Sequence, residues 1–161
     1  MTRREVPLDA AELLRALERG RVEYVVVGGL AVQAHGHVRT TQDLDLVPEP
    51  STENLDRLAR SLAALGARPA GTAKADPPSV DELSRAEVTT LDTDAGGVDV
   101  HRDPPGAAPY AHLRARALVL EVAGAPVAFA GLDDLIAMKR ASGRPIDRGD
   151  VLALTEGEAD R

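Results

Sequence analysis

The amino-acid sequence predicts an α/β (α+β) fold in which strands and helices alternate along a single domain. Three observations carry that reading. Tyr24-Val25-Val26-Val27 is a β-branched run closed by Gly28-Gly29. Asp43-Leu44-Asp45-Leu46-Val47 alternates with period two, and Ser51, Asn54, Leu55, Leu58, Leu62 and Leu65 recur at helical spacing. The 161 residues are one domain's length, taken as residues 1–161 with a core over about 9–154.

In chain order, Leu8, Leu13, Leu14 and Leu17 behind an Asp9 N-cap, closed by Gly20, predict a helix over about 9–19. Strand Tyr24–Val27 is buried and turns at the glycine pair into a short helix, Leu30–His35. Strand Asp43–Val47 is stopped by Pro48 and Pro50, and the Ser51 helix runs about four turns to Gly66. Residues 68–84 hold Pro69, Gly71, Pro77 and Pro78 and read as a loop with one helical turn. Glu87–Thr93 and Val98–His101 flank Gly96-Gly97 as a hairpin. A loop over Pro104–Pro109 leads to a short helix, Tyr110–Arg116, and then to strands Leu118–Val122 and Pro126–Ala130 about Gly124-Ala125. Leu132, Leu135, Ile136 and Met138 mark a helix with Asp133 and Asp134 in its first turn and Lys139, Arg140 and Arg144 toward its end. A last helix runs from Asp147 into Leu154.

Composition removes whole classes of function. With 43% hydrophobic and 28% charged residues the chain is not disordered. Cysteine is absent, which excludes a disulfide framework, a thiolate metal site and a Cys nucleophile; any metal is held by oxygen or imidazole. The balance of 19 basic to 26 acidic residues, net −7, argues against a broad duplex nucleic-acid footprint. Aromatics are 2% of the chain, too few for a base-stacking platform. Met1–Ala10, with Arg3, Arg4 and Glu5, has no signal-peptide pattern, and Ala117–Leu132 is interrupted by Glu121, Gly124 and Pro126. The expectation is a soluble cytoplasmic protein with no membrane partner.

The informative constellation is Gly28-Gly29 at a strand-to-helix turn, Asp43-x-Asp45 on the next strand, and Asp99 in Val98-Asp99-Val100. Alternate strand residues share a face, so Asp43 and Asp45 project together while Leu44 and Leu46 enter the core. If Asp99 lies on a neighbouring strand, three carboxylates converge, and their repulsion makes sense once divalent cations neutralise them. Hard oxygen donors without cysteine point to Mg²⁺. Two ions roughly 3.5–4 Å apart suit in-line phosphoryl chemistry. A glycine turn at a helix start lets phosphate oxygens reach backbone N–H groups.

Gly28-Gly29, then Arg39-Thr40-Thr41-Gln42-Asp43-Leu44-Asp45-Leu46, then Val98-Asp99-Val100, resembles the nucleotidyltransferase superfamily typified by DNA polymerase beta. The closer resemblance is to AbiEii-like toxins of type IV toxin-antitoxin systems, extending to Leu135-Ile136-Ala137-Met138-Lys139-Arg140 and Arg144-Pro145-Ile146-Asp147-Arg148-Gly149-Asp150. It covers about 24–154, with 68–84 unmatched. The resemblance implies the nucleotidyltransferase fold, a mixed sheet flanked by helices. It implies Asp43, Asp45 and Asp99 as metal ligands, with Asp99 also the base toward an acceptor hydroxyl. Gly28, Gly29, Arg39, Thr41 and Lys139 are implied to bind nucleotide, with Lys139 on phosphate, and Asp147 and Arg144 are accessory residues. It further implies an NTP such as ATP as substrate, tRNA or protein as acceptor, and an antitoxin partner; a homodimer is a further expectation. Leu30 departs from the pattern, standing where family members often carry Ser or Thr.

Simpler readings stand beside these. Gly28-Gly29 alone reads as a tight turn, Asp43-x-Asp45 as acids that keep an exposed edge strand from aggregating, Asp99 as one of several solvated acids with Asp92, Asp94 and Asp103, and Arg39 as half of a surface ion pair. Lys139 reads as a cation at a helix C-terminus, although only it and Lys74 are lysines among 19 basic residues. Asp147 and Asp150 read as a cap and a solvated helix face, and His101 as a surface histidine that could approach the metal site. Two rival functions remain: the same transfer onto a small antibiotic-type molecule, and a non-catalytic nucleotide- or partner-binding module, which Leu30 favours.

Overall fold

A computed structural model describes residues 6–73 and 76–159, leaving out the side chains of residues 158 and 159. The readings placed on Arg3, Arg4, Glu5 and Lys74 lie outside the described residues. Short-range chemistry sets most element ends. Asp9 accepts from the Glu12 N–H at 3.1 Å and caps α1 (Ala10–Arg19), which buries Leu13, Leu14, Ala16 and Leu17. β1 (Tyr24–Val27) runs straight into α2 (Gly28–Ala34), and β2 spans Asp43–Pro48. Ser51 caps α3 (Thr52–Ala64) by accepting from the Asn54 N–H at 3.2 Å.

The segment read as a loop with one helical turn contains a two-residue strand that was not expected, β3 (Arg68–Pro69), and the turn itself as a six-residue helix, α4 (Val80–Arg85). The reason for the helix is an N-cap: the Ser79 hydroxyl accepts from the Glu82 N–H at 3.1 Å and donates to Glu82 Oε1 at 3.2 Å, while Leu83 is buried. β4 (Val88–Thr93) and β5 (Gly96–His101) form the expected hairpin, with both glycines inside β5. α5 (Tyr110–Ala115), β6 (Leu118–Val122), β7 (Ala125–Phe129) and α6 (Leu132–Ser142) follow. α7 (Pro145–Ala159) begins two residues before the expected start, because proline at a first helical position gives up only an N–H that has no helical partner.

The seven strands form one mixed sheet in the order β3-β4-β5-β2-β1-β7-β6. β2 pairs in parallel with β5 and β1 with β7, whereas β1 and β2 are antiparallel. One face of the β4-β5-β2 region is the core: Leu44, Leu46, Leu91, Val98 and Val100 are at most 2% exposed. The alternate residues, Asp43, Asp45, Asp99 and His101, lie on the opposite face and are half-buried. α6 packs against α7 and α2, and α2 in turn packs against β1 and β2. Among the described residues, no helix is long and apolar enough to cross a membrane.

Candidate active site

The parallel ladder between β2 and β5 sets Asp43 opposite Gly97 and Asp45 opposite Asp99. On its other side Asp45 stands opposite Val27, the last residue before α2. The three aspartates singled out from sequence are therefore brought onto one face, beside the strand-to-helix turn. The Asp45 carboxylate is hydrogen-bonded to His101, with Oδ1 and Nε2 2.9 Å apart.

The glycine pair forms the first turn of α2 and is not a hinge ahead of a helix at Leu30. Gly28 has φ +70, and a Cβ there would overlap Asp45 Oδ2 and lie 2.8 Å from its Cγ. A Cβ on Gly29 would land on Arg39 Nη1 and 2.8 Å from Thr41 Oγ1. Each glycine is thus fitted to a side chain of the Arg39–Asp45 segment, and the two parts of the sequence pattern are halves of one contact. Thr41 Oγ1 donates to the Asp43 carbonyl at 3.1 Å, and the Gln33 amide donates to the Arg39 carbonyl, so this segment is tied to both α2 and β2. Leu30, one residue on, is half-buried against the core; the departure exchanges a hydroxyl for packing.

Lys139 lies away from solvent. Its side chain is 6% exposed, and Nζ sits 3.2 Å from Asp147 Oδ1 and 3.1 Å from Asp150 Oδ2. Arg144 Nε donates to Asp147 Oδ2 at 2.8 Å, and Arg39 Nε is 3.0 Å from Asp150 Oδ1. Burial pushes the Asp147 carboxyl up, but hydrogen bonds from Arg144 and Ser142 and the charge of Lys139 outweigh it and hold it at about 2. The Asp147 hydrogen bond holds the Arg144 guanidinium above its ordinary value against the opposing effect of burial, and the Asp45 and Asp150 charges add to this. The cluster on α6 and α7 therefore faces the strand aspartates electrostatically.

Two participants were missed in the sequence. Asp150, read as part of a solvated face, is 6% exposed and touches both Lys139 and Arg39; its spacing of three from Asp147, which puts both on one side of a helix, was the available signal. His101, read as a surface histidine, holds Asp45, and its period-two spacing from Asp99 put it on the right face. Arg39 does pair with a carboxylate, but with a buried one on α7.

Among the described residues, no three histidine, aspartate or glutamate side chains are already gathered into a metal-holding cluster. The donor chemistry nonetheless fits a hard divalent cation, since Asp43, Asp45 and Asp99 present carboxylates from adjacent strands on a shared face.

No protein-family model matches the chain, and no curated protein matches it. Solved structures do resemble it. The lincosamide antibiotic adenylyltransferase LnuA, bound to lincomycin, is 14% identical over 92% of this chain and 98% of its own, with TM-score 0.65. ANT(2'')-Ia in complex with adenylyl-2''-tobramycin is 16% identical over 90% and 84%, with TM-score 0.59. A nucleotidyltransferase-like antigenic protein from Paracoccidioides brasiliensis is 17% identical over 92% and 78%, with TM-score 0.52. At these identities the likeness is one of fold: the chain has the nucleotidyltransferase fold.

Proposed function

We propose that the chain is a Mg²⁺-dependent nucleotidyltransferase, moving a nucleoside monophosphate from an NTP to an acceptor hydroxyl with release of pyrophosphate. The observation that carries this reading is the register that sets Asp45 beside Asp99, with Asp43 on the same face, next to the glycine turn of a nucleotidyltransferase fold. Asp43, Asp45 and Asp99 would hold the metal, which supplies charge neutralisation to the triphosphate when bound. Asp99 accepts the proton of the acceptor hydroxyl as its oxygen bonds to the α-phosphorus and the bond from that phosphorus to pyrophosphate breaks. His101 orients Asp45. Gly28, Gly29, Arg39 and Thr41 meet the phosphates. Lys139, with Asp147 and Arg144, faces the same region, and its ammonium reaches phosphate only by leaving Asp147 and Asp150.

The resemblance to AbiEii-like toxins favours tRNA or a protein as acceptor, with an antitoxin partner and cytoplasmic location. A second reading, a small-molecule acceptor, is favoured by the fold likeness to LnuA and ANT(2'')-Ia, whose structures hold lincomycin and adenylyl-2''-tobramycin. The test is incubation with each α-labelled NTP, Mg²⁺ and, separately, total RNA, total protein, lincomycin or tobramycin. Label on RNA or protein supports the first acceptor class, and label on a drug alone supports the second. No label on any of them with any NTP would sink the transferase reading in favour of a non-catalytic module.

A further inference from the structure

We propose that Asp150 is a positioning residue that holds the Arg39 guanidinium against Gly29, where that cation faces the nucleotide's phosphates. The phosphate role rests on the function proposed above; the tether rests on geometry alone.

Arg39 belongs to residues 35–42, which connect α2 to β2 without helix or strand of their own, so local backbone structure does not fix its side chain. Its place is set instead from α7. Asp150 Oδ1 lies 3.0 Å from Arg39 Nε while its Oδ2 lies 3.1 Å from Lys139 Nζ, so one carboxylate, 6% exposed, joins two cations. α7 grips the same connection a second time, since a Cβ on Gly157 would lie 3.0 Å from His37 Cε1. At its far end the guanidinium occupies the space that a Gly29 side chain would fill.

Two features suit this cation to a ligand. Within the cluster Arg39, Lys139 and Arg144 stand against Asp147 and Asp150, three cations to two carboxylates, with the Asp45 charge acting on Arg144 from outside it. Arg39 Nε faces Asp150 Oδ1 and Lys139 Nζ faces Asp150 Oδ2, yet neither the buried Nε nor the buried Oδ2 makes an aligned hydrogen bond. Charge more than hydrogen-bond geometry holds the pair through Nε, which leaves the Nη1 end beside Gly29 to meet a phosphate oxygen.

The test uses the full chain and two readings. Trypsin nicking after Arg39 in the folded protein should quicken several-fold in Asp150→Asn. Binding of each Mg²⁺-NTP should weaken about tenfold in Asp150→Asn and in Arg39→Gln, and the double variant should be no weaker than Arg39→Gln. Should Asp150→Asn fail to fold, Asp150→Glu keeps the charge beside Lys139 and moves the carboxylate, so it should raise the KM for NTP several-fold with a near-unchanged Tm. Nicking at the original rate, unaltered NTP affinity, or losses that multiply in the double variant would each overturn the proposal. If the unaltered chain binds no NTP, the transferase reading and the phosphate role fall together, and the nicking comparison still decides whether Asp150 tethers Arg39.

Discussion

A methyl group at Gly28 would stand where the Asp45 carboxylate stands, on a backbone with φ +70. Gly28→Ala should therefore lose about 2 kcal/mol or more in urea unfolding, of which the left-handed backbone accounts for roughly 1–2 kcal/mol. In an Asp45→Gly background only that backbone share should remain; equal losses in both backgrounds would mean that Asp45 does not dictate the glycine. Lys139 carries a different expectation. A cation completing a helix C-terminus contributes about 0.3–1 kcal/mol, whereas Lys139 is 6% exposed between two buried aspartates. Removing one partner of such a group costs about 3–5 kcal/mol. Lys139→Ala should show the larger loss, and a change below about 1 kcal/mol would return Lys139 to the simpler role. The sequence singled this lysine out by its rarity but gave no sign of its burial, because its partners lie one helix away.

At the scale of elements, the join between α6 and α7 is a pH-sensitive part of the fold. Asp147 is held at about 2 against an ordinary 3.8, so the unfolded chain takes up its proton first as pH falls. The stabilisation, about 2 kcal/mol for a lowering of that size, is complete above about pH 4 and is lost as pH drops toward 2. Asp147→Asn should flatten the stability profile between pH 4 and 2, and a profile parallel to the parent's would contradict this. Elements whose signal is local were legible: β2 through its strict alternation, and α1 and α3 through their caps and leucine spacing. α2 was placed two residues late because glycines are poor helix formers, and here the positive φ at Gly28 makes the turn within the helix itself. β3 escaped notice because two residues carry no period, whereas the one helical turn expected within 68–84 is α4, whose place the prolines and glycine left open and the Ser79–Glu82 cap fixes.

For the whole molecule, the decisive fact is the order of strands. That Asp43 and Asp45 share a face followed from period two, but that β5 lies beside β2 is a pairing between segments more than 50 residues apart in the chain, and no local pattern encodes it. The register makes Asp99 the neighbour of Asp45, and the packing of α6 and α7 brings their charged cluster to Arg39 and Gly29. The charge pattern has its own consequence. Neutralising two carboxylates on one sheet face should remove metal-dependent nucleotide binding without unfolding the chain, so Asp43→Asn with Asp45→Asn should keep the parent's circular dichroism while losing Mg²⁺-NTP affinity. The most direct measurement is transfer from α-labelled and γ-labelled NTP by the parent chain and that double variant, with Mg²⁺ and the acceptor that takes label. The parent should place the α-label on the acceptor and release the γ-label as pyrophosphate, and the double variant should do neither. Label arriving from the γ-position, or equal α-transfer by the double variant, would contradict the account.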